Sequence, residues 1–306
     1  MASKRVLHRR VTLRETWPYH LLILPGLAVI LIYTILPFLG NVIAFQDFKP
    51  ILGFFRSKWV GLENFRYMFK LRDTGRILRN SFVIASLKLC LSLVASIVFS
   101  LLLHESCSKR VGKAVQTICF LPHFLSWVIL ATIFKNIFAD TGLVNELLSR
   151  LGVSSGVNFL GSNSWFRWIL ILTDVWKEFG YGAIIFMAAL AGVSPELYEA
   201  ADIDGATRWK KVVHITLPGI ATTVVLVATL NLANILNAGF DQVYNMYSPI
   251  VYESGDIIDT YVYRMSFINA QYSVATAIGL LKSVVSFVMI TISYFAANKF
   301  TDYRLF

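Results

Sequence analysis

Long runs of apolar residues, separated by short polar segments, dominate the pattern of this chain. Six runs are long enough for a membrane-spanning helix, which needs about 20 mostly apolar residues. Because lipid offers no hydrogen-bond partners to a backbone, helices are the expected structure of these runs. The predicted fold class is therefore all-α, a polytopic transmembrane helical bundle of six spans. The predicted spans are 20–45, 81–103, 115–138, 166–190, 212–238 and 273–297.

Prolines interrupt this apolar pattern at four places, within or at the start of spans. A proline inside a helix removes a backbone donor and kinks the helix, whereas one at the first turn caps it. We expect these kinks to shape the bundle. The four residues are Pro25, Pro37, Pro122 and Pro218.

Composition agrees with lipid as the main solvent. Of the 306 residues, 56% are hydrophobic and 15% are charged, whereas a soluble domain carries roughly 25% charged residues. No loop is long enough for a soluble domain, so residues 1–306 are predicted to form a single transmembrane domain. The three cysteines, Cys90, Cys107 and Cys119, have neither a disulfide nor a metal-ligand spacing.

The N-terminal segment is basic and precedes an apolar run, as in a signal peptide. The run over 20–45 is, however, longer than the roughly 7–15 residues of a signal peptide. We therefore expect a retained first span. The basic residues are Lys4, Arg5, Arg9, Arg10 and Arg14.

Charge predicts the orientation weakly. With both termini in the cytoplasm, the inner side holds slightly more Lys and Arg than the outer side, mainly in the N-terminal segment and in loop 104–114. The outer segment 46–80 is unusually basic, and Leu62, Phe65 and Phe69 recur there at helical spacing. It is either an amphipathic helix at the membrane surface or a surface that attracts an acidic ligand or a docking protein.

The polar loop 193–218 lies between the fourth and fifth spans. Ser194 suits a helix N-cap and Pro195 suits the first helical position. A short helix should run through Glu199, and Gly205 allows a sharp turn. A second helix over 206–214 should lead into the fifth span, giving a compact knob on two spans.

The same loop resembles the EAA loop of ABC-importer permeases, with Glu-Ala-Ala, three residues, Gly, nine residues, Ile, any residue and Leu-Pro. The resemblance implies a coupling helix that docks in a cleft of a separate ATPase subunit and moves when ATP binds. It also implies that the loop is cytoplasmic. The residues implied to couple the two subunits are Glu199, Ala200, Ala201, Asp204, Gly205, Leu217 and Pro218.

No nucleotide-binding loop of the form Gly-x-x-x-x-Gly-Lys-[Ser/Thr] occurs in this sequence. No metal-ligand cluster or activated nucleophile stands out either. We therefore expect no catalytic residue, no metal site and no cofactor on this chain, and the ATP and Mg²⁺ would belong to the partner ATPase subunits. The chain is predicted to be a transport subunit rather than an enzyme.

Polar side chains inside the spans are candidates for the substrate path, since each is costly in lipid. The asparagines of the fifth span repeat every three residues along one face, and amides suit sugar hydroxyls. Hydrogen bonding or ion pairing within the bundle is an equally open interpretation. The candidates are Asn231, Asn234, Asn237 and Asp241, then Asp174, Trp176, Lys177 and Tyr181 of the fourth span, and Lys282 of the sixth.

A wider resemblance extends over nearly the whole chain. It is to permeases of the type I carbohydrate-uptake ABC family, and most of all to the branch that imports complex oligosaccharides and includes an alginate importer. The segments that carry it, besides the EAA loop, are Leu24-Pro25-Gly26, the run from Ala44 to Phe48, the run from Trp59 to Phe65, and the run from Asp259 to Arg264.

This resemblance implies a bacterial inner-membrane importer with a second homologous permease subunit, two ATPase subunits and an extracytoplasmic substrate-binding protein, and no nucleic acid. The net charge of +10 favours an acidic, alginate-like oligosaccharide as cargo. Neutral oligosaccharides or another ABC-import substrate stay open as alternatives. A secondary transporter that works alone is a more remote one, because it would usually show matched broken helices or inverted repeats.

Overall fold

The computed structural model describes residues 13–105, 109–152 and 156–301. The basic residues before position 13 and Cys107 lie outside the described residues. Within that part of the chain the α-helices are α1 (Leu13–Ile30), α2 (Leu36–Leu39), α3 (Gly53–Arg56), α4 (Glu63–Lys70), α5 (Thr74–His104), α6 (Lys109–Phe120), α7 (Trp127–Ile137), α8 (Leu143–Arg150), α9 (Asn163–Ala191), α10 (Pro195–Ile203), α11 (Arg208–Lys211), α12 (Leu217–Leu232), α13 (Phe240–Met246), α14 (Tyr252–Gly255), α15 (Ile258–Tyr263) and α16 (Tyr272–Thr301).

Shorter elements connect these helices. A two-stranded antiparallel ladder joins β1 (Gln46–Asp47) to β2 (Lys58–Trp59) and closes the segment between the first two spans into a hairpin. Apart from this ladder, the regular elements of the described residues are helices, so the all-α prediction is confirmed. Single turns of π-helix lie at Leu31–Ile35, Val212–Thr216 and Arg264–Ile268, and 3₁₀ turns lie at Gly40–Phe45, Leu121–Phe124 and Pro249–Val251.

Four stretches of the described chain are long and apolar enough to cross a membrane, and the number rises to six if two bent helix pairs each count as one span. The α6–α7 pair bends by 102° and the α9–α10 pair by 69°. By itself α9 has 29 residues, or about 44 Å of helix, which exceeds the hydrocarbon thickness of about 30 Å. The four stretches are Thr16–Phe45, Thr74–His104, Arg208–Leu232 and Tyr272–Phe295.

The third predicted span, 115–138, needs a correction, because it is not one continuous helix. Between α6 and α7 the chain passes through the 3₁₀ turn Leu121–Phe124. Pro122 supplies no backbone donor in this turn, and the Ser126 hydroxyl caps α7 by accepting from the Ile129 N–H. The proline therefore accompanies a break in the span rather than a modest kink.

The end of the fifth predicted span, 212–238, also needs a correction. α12 ends before residues 233–238, which form tight turns in which the N–H groups of Asn234 and Asn237 donate to carbonyls three residues back, at 2.9 and 2.7 Å. Gly239 follows with φ of +88°, a conformation that L side chains rarely adopt. The expectation that all three asparagines share one helical face is therefore wrong.

The core of the bundle is the contact between α5 and α9. Ile84, Phe166 and Leu170 are fully buried in the cluster that these helices share with α7 and α13. α9 also packs closely on α6, since a Cβ at Gly180 would lie 2.2 Å from the Cys119 carbonyl oxygen. These contacts hold the polar middle of α9 at a fixed place between its neighbours.

Candidate functional site

A polar cavity of about 260 Å³ lies where α5, α9 and the end of α12 meet. Hydrophobic side chains form part of its wall, but charged and amide groups converge on it from three elements. Such a concave site with a few converging polar groups is the usual form of a small-molecule binding site. Its lining residues are Ala85, Lys88, Leu89, Ser92, Asp174, Glu178, Asn231, Asn234, Asn237, Ala238 and Gly239.

The turns after α12 bring the three asparagines to this cavity together, although they leave the helix. Non-helical backbone is tolerated at membrane depth where it lines a polar cavity. The amides of Asn231, Asn234 and Asn237 thus add donors and acceptors to a wall that already carries the carboxylates of Asp174 and Glu178. The sequence predicted the three asparagines and Asp174 as candidates, but it predicted neither the place of Glu178 in this wall nor the unwound backbone that presents the asparagines.

Lys88 is the centre of a buried network beside the cavity. Its ammonium donates to Asp174 Oδ1 at 3.2 Å, to the Ala238 carbonyl at 2.7 Å and to Gln242 Oε1. The Gln242 amide in turn donates to the Leu170 carbonyl, at 2.8 Å. One side chain of α5 therefore ties α9 to the turn after α12 and to α13.

The role of Gln242 was not predicted from the sequence. Its neighbours Asp241 and the fifth-span asparagines drew attention as polar residues, whereas a glutamine after a glycine carries no distinctive signal. In the structure Gln242 is fully buried, whereas Asp241 is exposed. The backbone carbonyl of Asp241 accepts from the Asn245 amide, at 2.7 Å, and its side chain does not line the cavity.

Three candidates from the fourth span lie on other faces of α9. Lys177 donates to the His123 carbonyl at 2.7 Å and to Glu178 Oε1 at 2.9 Å. The Tyr181 ring stacks on the His123 ring with centroids 3.9 Å apart, and the Trp176 ring meets a neighbouring phenylalanine edge-on. These residues brace the break between α6 and α7 rather than line the cavity.

Lys282 of α16 is likewise outside the cavity. Its ammonium contacts both carboxylate oxygens of Asp259, at 2.6 and 2.8 Å. The pair joins α16 to α15, and both side chains are partly exposed. The structure therefore shows the ion-pair arrangement that the sequence left open for this residue.

A second buried network anchors the segment between α13 and α16. Asp256, which is fully buried, pairs with Arg264 at 2.5 Å. Burial lowers the pKa of Arg264, but hydrogen bonds and charge attraction from Asp256 raise it above its ordinary value. Asn80 of α5 donates to the Asp256 carbonyl at 3.2 Å and accepts from Arg167 of α9 at 2.9 Å. The segment is thus fixed to the two core helices.

The loop between α9 and α12 forms a protruding knob. As predicted, Ser194 caps α10, because its hydroxyl accepts from the Glu196 N–H at 3.3 Å. α10 ends at Ile203, two residues before Gly205, which has φ of +70°. The Ala206 N–H closes the end by donating to the Ala201 carbonyl, at 2.8 Å. The Glu-Ala-Ala face of α10 is largely exposed.

The second helix of the knob, predicted over 206–214, is not separate. α11, the π turn Val212–Thr216 and α12 continue as one spanning helix, Arg208–Leu232. A displacement of the knob would therefore act directly on the fifth span. Leu217 and Pro218 lie at the first turn of α12 inside this continuous helix.

Two contacts brace α10 against the start of the spanning helix. Lys211 pairs with Asp202 at 2.8 Å, and the hydroxyl groups of Tyr198 and Thr216 lie 3.0 Å apart. Thr216 is fully buried, so the second contact is shielded from solvent. These contacts should make the knob and the fifth span move as one body.

The knob also exposes apolar side chains that the motif does not include. Ile203 is 88% exposed and Trp209 is 74% exposed. They flank the turn at Gly205 and make an uncovered apolar rim on an otherwise polar loop. Exposed apolar surface rimmed by polar residues marks a protein–protein contact.

The basic segment 46–80 forms a second surface feature. α4 is a short helix, as predicted, in which Met68 is buried while Leu62 and Phe69 are exposed. Arg66 and Lys70 line a shallow open hollow of about 600 Å³ on this helix. Both the membrane-surface and the ligand-attracting interpretations fit this arrangement of charge beside apolar side chains.

The comparisons with known proteins agree with this architecture. Residues 92–302 match the family described as binding-protein-dependent transport system inner membrane component. Protein LplB of Bacillus subtilis (strain 168) is 42% identical over 294 residues, which cover 96% of this chain and 92% of that protein.

Two further similarities bear on the kind of cargo. The polygalacturonan/rhamnogalacturonan transport system permease protein YteP of Bacillus subtilis (strain 168) is 38% identical and covers 92% of this chain and 88% of its own. A crystal structure of a bacterial ABC transporter involved in the import of the acidic polysaccharide alginate superposes with a TM-score of 0.87 and 35% identity. It covers 94% of this chain and 97% of its own.

Proposed function

The chain belongs to the family of binding-protein-dependent transport system inner membrane components, and from this premise we propose that the cargo of its importer is an acidic oligosaccharide. The observation that carries the proposal is the structural match, at a TM-score of 0.87, to a permease of an importer of acidic polysaccharide. A relative named for polygalacturonan transport points the same way, because polygalacturonan and alginate are both chains of sugar acids.

Charge supports an acidic cargo. The outer basic segment is defined here as residues 46–80, and its cations include Arg66 and Lys70 on the exposed side of α4. A surface of one sign raises the local concentration of ligands of the opposite sign and speeds their capture. The polar cavity then supplies amide groups that suit the hydroxyls of a sugar.

The proposed assembly has four kinds of subunit. This chain would pair with a second, homologous permease, and two ATPase subunits holding ATP and Mg²⁺ would lie against the cytoplasmic side. The exposed Glu199–Ala201 face, Asp204 and the turn at Gly205 would dock in a cleft of one ATPase. An extracytoplasmic binding protein would deliver the cargo to the opposite side. Both termini of this chain would then be cytoplasmic.

The coupling step follows from the geometry of the knob. Closure of the ATPases around ATP would push α10, and the contacts of Asp202 and Tyr198 with the spanning helix would pass the movement to α12. The end of α12 lines the cavity, so this push would change the access of the cavity from one side of the membrane to the other. Binding energy released at the ATPases would thereby move the cargo.

The cargo is tested with the complete importer in proteoliposomes. We expect galacturonate and alginate oligosaccharides, presented with the binding protein, to stimulate ATP hydrolysis and to be taken up, whereas maltodextrins of equal length leave both rates near the basal level. Uptake of uronates should fall as salt is raised, because exposed charges are screened. Strong stimulation by maltodextrins with weak stimulation by uronates would overturn the acidic cargo in favour of neutral oligosaccharides.

A change of one hydroxyl group tests the coupling route. Tyr198→Phe removes the contact with Thr216 at 3.0 Å and keeps the ring, at a cost of about 0.5–1.5 kcal/mol for a hydrogen bond. We expect ATP hydrolysis to persist while the sugar imported per ATP falls severalfold. Tyr33→Phe, in the first span where the ring is 76% exposed, is the matched control. An unchanged ratio in Tyr198→Phe would refute the bracing role.

A further inference from the structure

A row of aromatic rings follows the polar cavity along the chain. The rings come from α13 and the residue after it, α14, α15 and the π turn after α15, and each lies within ring-contact distance of at least one other. The contacts branch at Tyr244, with one branch through Tyr247 and the other through Tyr263. This set is called the aromatic ladder below. Its members are Phe240, Tyr244, Tyr247, Tyr252, Tyr263 and Phe267.

Neighbouring rings of the aromatic ladder contact each other, and some of the rings are exposed. The centroids of Phe240 and Tyr244 are 5.2 Å apart with nearly parallel planes, and those of Tyr244 and Tyr263 are 4.9 Å apart. Tyr263 and Phe267 follow at 5.2 Å. Tyr244 is 40% exposed and Phe267 is 73% exposed, so these two rings present uncovered surface, while the other rings of the ladder are half-buried.

One end of the aromatic ladder directly follows the wall of the polar cavity in the chain. Gly239 lines the cavity and Phe240 is the next residue, so the ladder begins where this part of the cavity wall ends. The glycine conformation, with φ of +88°, turns the chain at this point from the cavity wall into α13. An oligosaccharide too long for a cavity of about 260 Å³ must extend beyond the cavity wall, and the ladder residues come next along the chain.

Contacts within the protein hold the backbone that carries the aromatic ladder in a fixed position. The buried Asp256–Arg264 pair and the bond from the Ile258 N–H to the Ser81 hydroxyl, at 2.8 Å, fix α14 and α15 to α5. The Arg264 guanidinium also lies over the Tyr252 ring, at 4.2 Å from its centroid. A surface fixed in this way loses little conformational entropy when it binds a ligand.

Polar groups accompany the exposed rings. The Tyr244 hydroxyl donates to the Tyr263 hydroxyl at 3.4 Å. Burial raises the pKa of Tyr247 to about 12, so this hydroxyl stays a neutral donor at physiological pH. A pyranose ring presents C–H groups on its face and hydroxyls at its edge. Tyrosine offers the complementary pair, an apolar face with a polar tip.

We propose that the aromatic ladder is a binding site for the trailing sugar rings of an oligosaccharide whose leading end occupies the polar cavity. The proposal rests on the proposed function and adds the chain-length dependence of transport to it. Short saccharides would use the cavity alone, whereas longer ones would also stack on the rings of Tyr244 and Phe267. The importer would thereby favour chains over single sugars.

The experiment compares two chain lengths in the complete importer. Uptake of digalacturonate and of pentagalacturonate is measured at concentrations below saturation for Tyr244→Ala and Phe267→Ala. We expect pentagalacturonate uptake to fall roughly five- to tenfold, the order of one lost aromatic contact, with digalacturonate uptake unchanged. Tyr244→Phe should keep most of the uptake. Phe287→Ala, at an exposed aromatic residue of α16 outside the ladder, should change neither.

Other results of this experiment would contradict either the ladder site or the acidic cargo. An equal loss for both lengths, or no loss for either, overturns the ladder site. Loss of the second permease on purification of either alanine variant would make the ladder a subunit interface and also overturn it. If the wild-type importer takes up no uronate but does take up maltodextrins, the acidic cargo fails. The same variants are then compared on maltose and maltopentaose, which tests the ladder independently.

Discussion

Replacing Gly205 by valine is expected to abolish transport while the binding protein still captures its substrate. A Cβ at this position meets no atom within 4 Å, so the cost is in the backbone, where φ is +70°. This conformation costs an L residue about 1–2 kcal/mol, and it costs a β-branched residue more. Valine would pull the turn back to negative φ and redirect α10, and the knob would no longer match its ATPase cleft.

The measurement separates coupling from folding. Uptake and ATP hydrolysis are followed in proteoliposomes, and co-purification of the ATPases reports docking. Gly205→Asn should retain partial transport, because asparagine tolerates the left-handed conformation better than valine does. Gly26→Val, at a glycine of α1 that is equally free of neighbours but has no positive φ, should transport normally. Normal uptake by Gly205→Val would refute the coupling role of the turn.

The parts of the fold that follow from local rules were predictable from the sequence. The apolar runs predicted which segments can cross the membrane as helices, because length and hydropathy alone decide whether a segment suits the bilayer. α5 and α16 extend the second and sixth predicted spans by a few residues at their ends. The cap at Ser194 was also predictable, since a capping hydroxyl needs no tertiary partner.

The interruptions of helices were less predictable. Hydropathy does not distinguish a straight span from the 102° bend between α6 and α7, because both bury apolar side chains equally. It also continued the fifth span to position 238, although α12 ends at Leu232. The turns there are compatible with the membrane because they line a polar cavity, and that cavity exists only after α5 and α9 have packed.

The sequence predicted only some residues of the candidate site, because the site too depends on how distant segments pack. Asparagine spacing led to residues that line the cavity, but on turns rather than on a helix face. Polarity alone could not separate Lys88, which ties three elements together, from Lys282, which pairs at the edge of the bundle. Choosing between them requires the partners of each ammonium, and these come from segments far apart in the sequence.

Lys88→Met is expected to cause the largest loss of both assembly and uptake among single changes near the cavity. Methionine fills similar space but leaves Asp174 Oδ1, the Ala238 carbonyl and Gln242 Oε1 without the donor that they share. Breaking a buried charge pair by removing one partner costs about 3–5 kcal/mol. The turn after α12 would come loose from α5, and the asparagines would lose their common orientation.

Thermal unfolding of the purified importer and sugar uptake test this expectation. The double variant Lys88→Met with Asp174→Leu removes the stranded carboxylate, so we expect the unfolding temperature to recover substantially. Uptake should stay low, because the Ala238 carbonyl and Gln242 still lack their donor and the cavity wall remains displaced. Lys135→Met, at an exposed lysine of α7, should leave both measurements unchanged. Uptake at the wild-type rate in Lys88→Met would show that the network does not position the cavity.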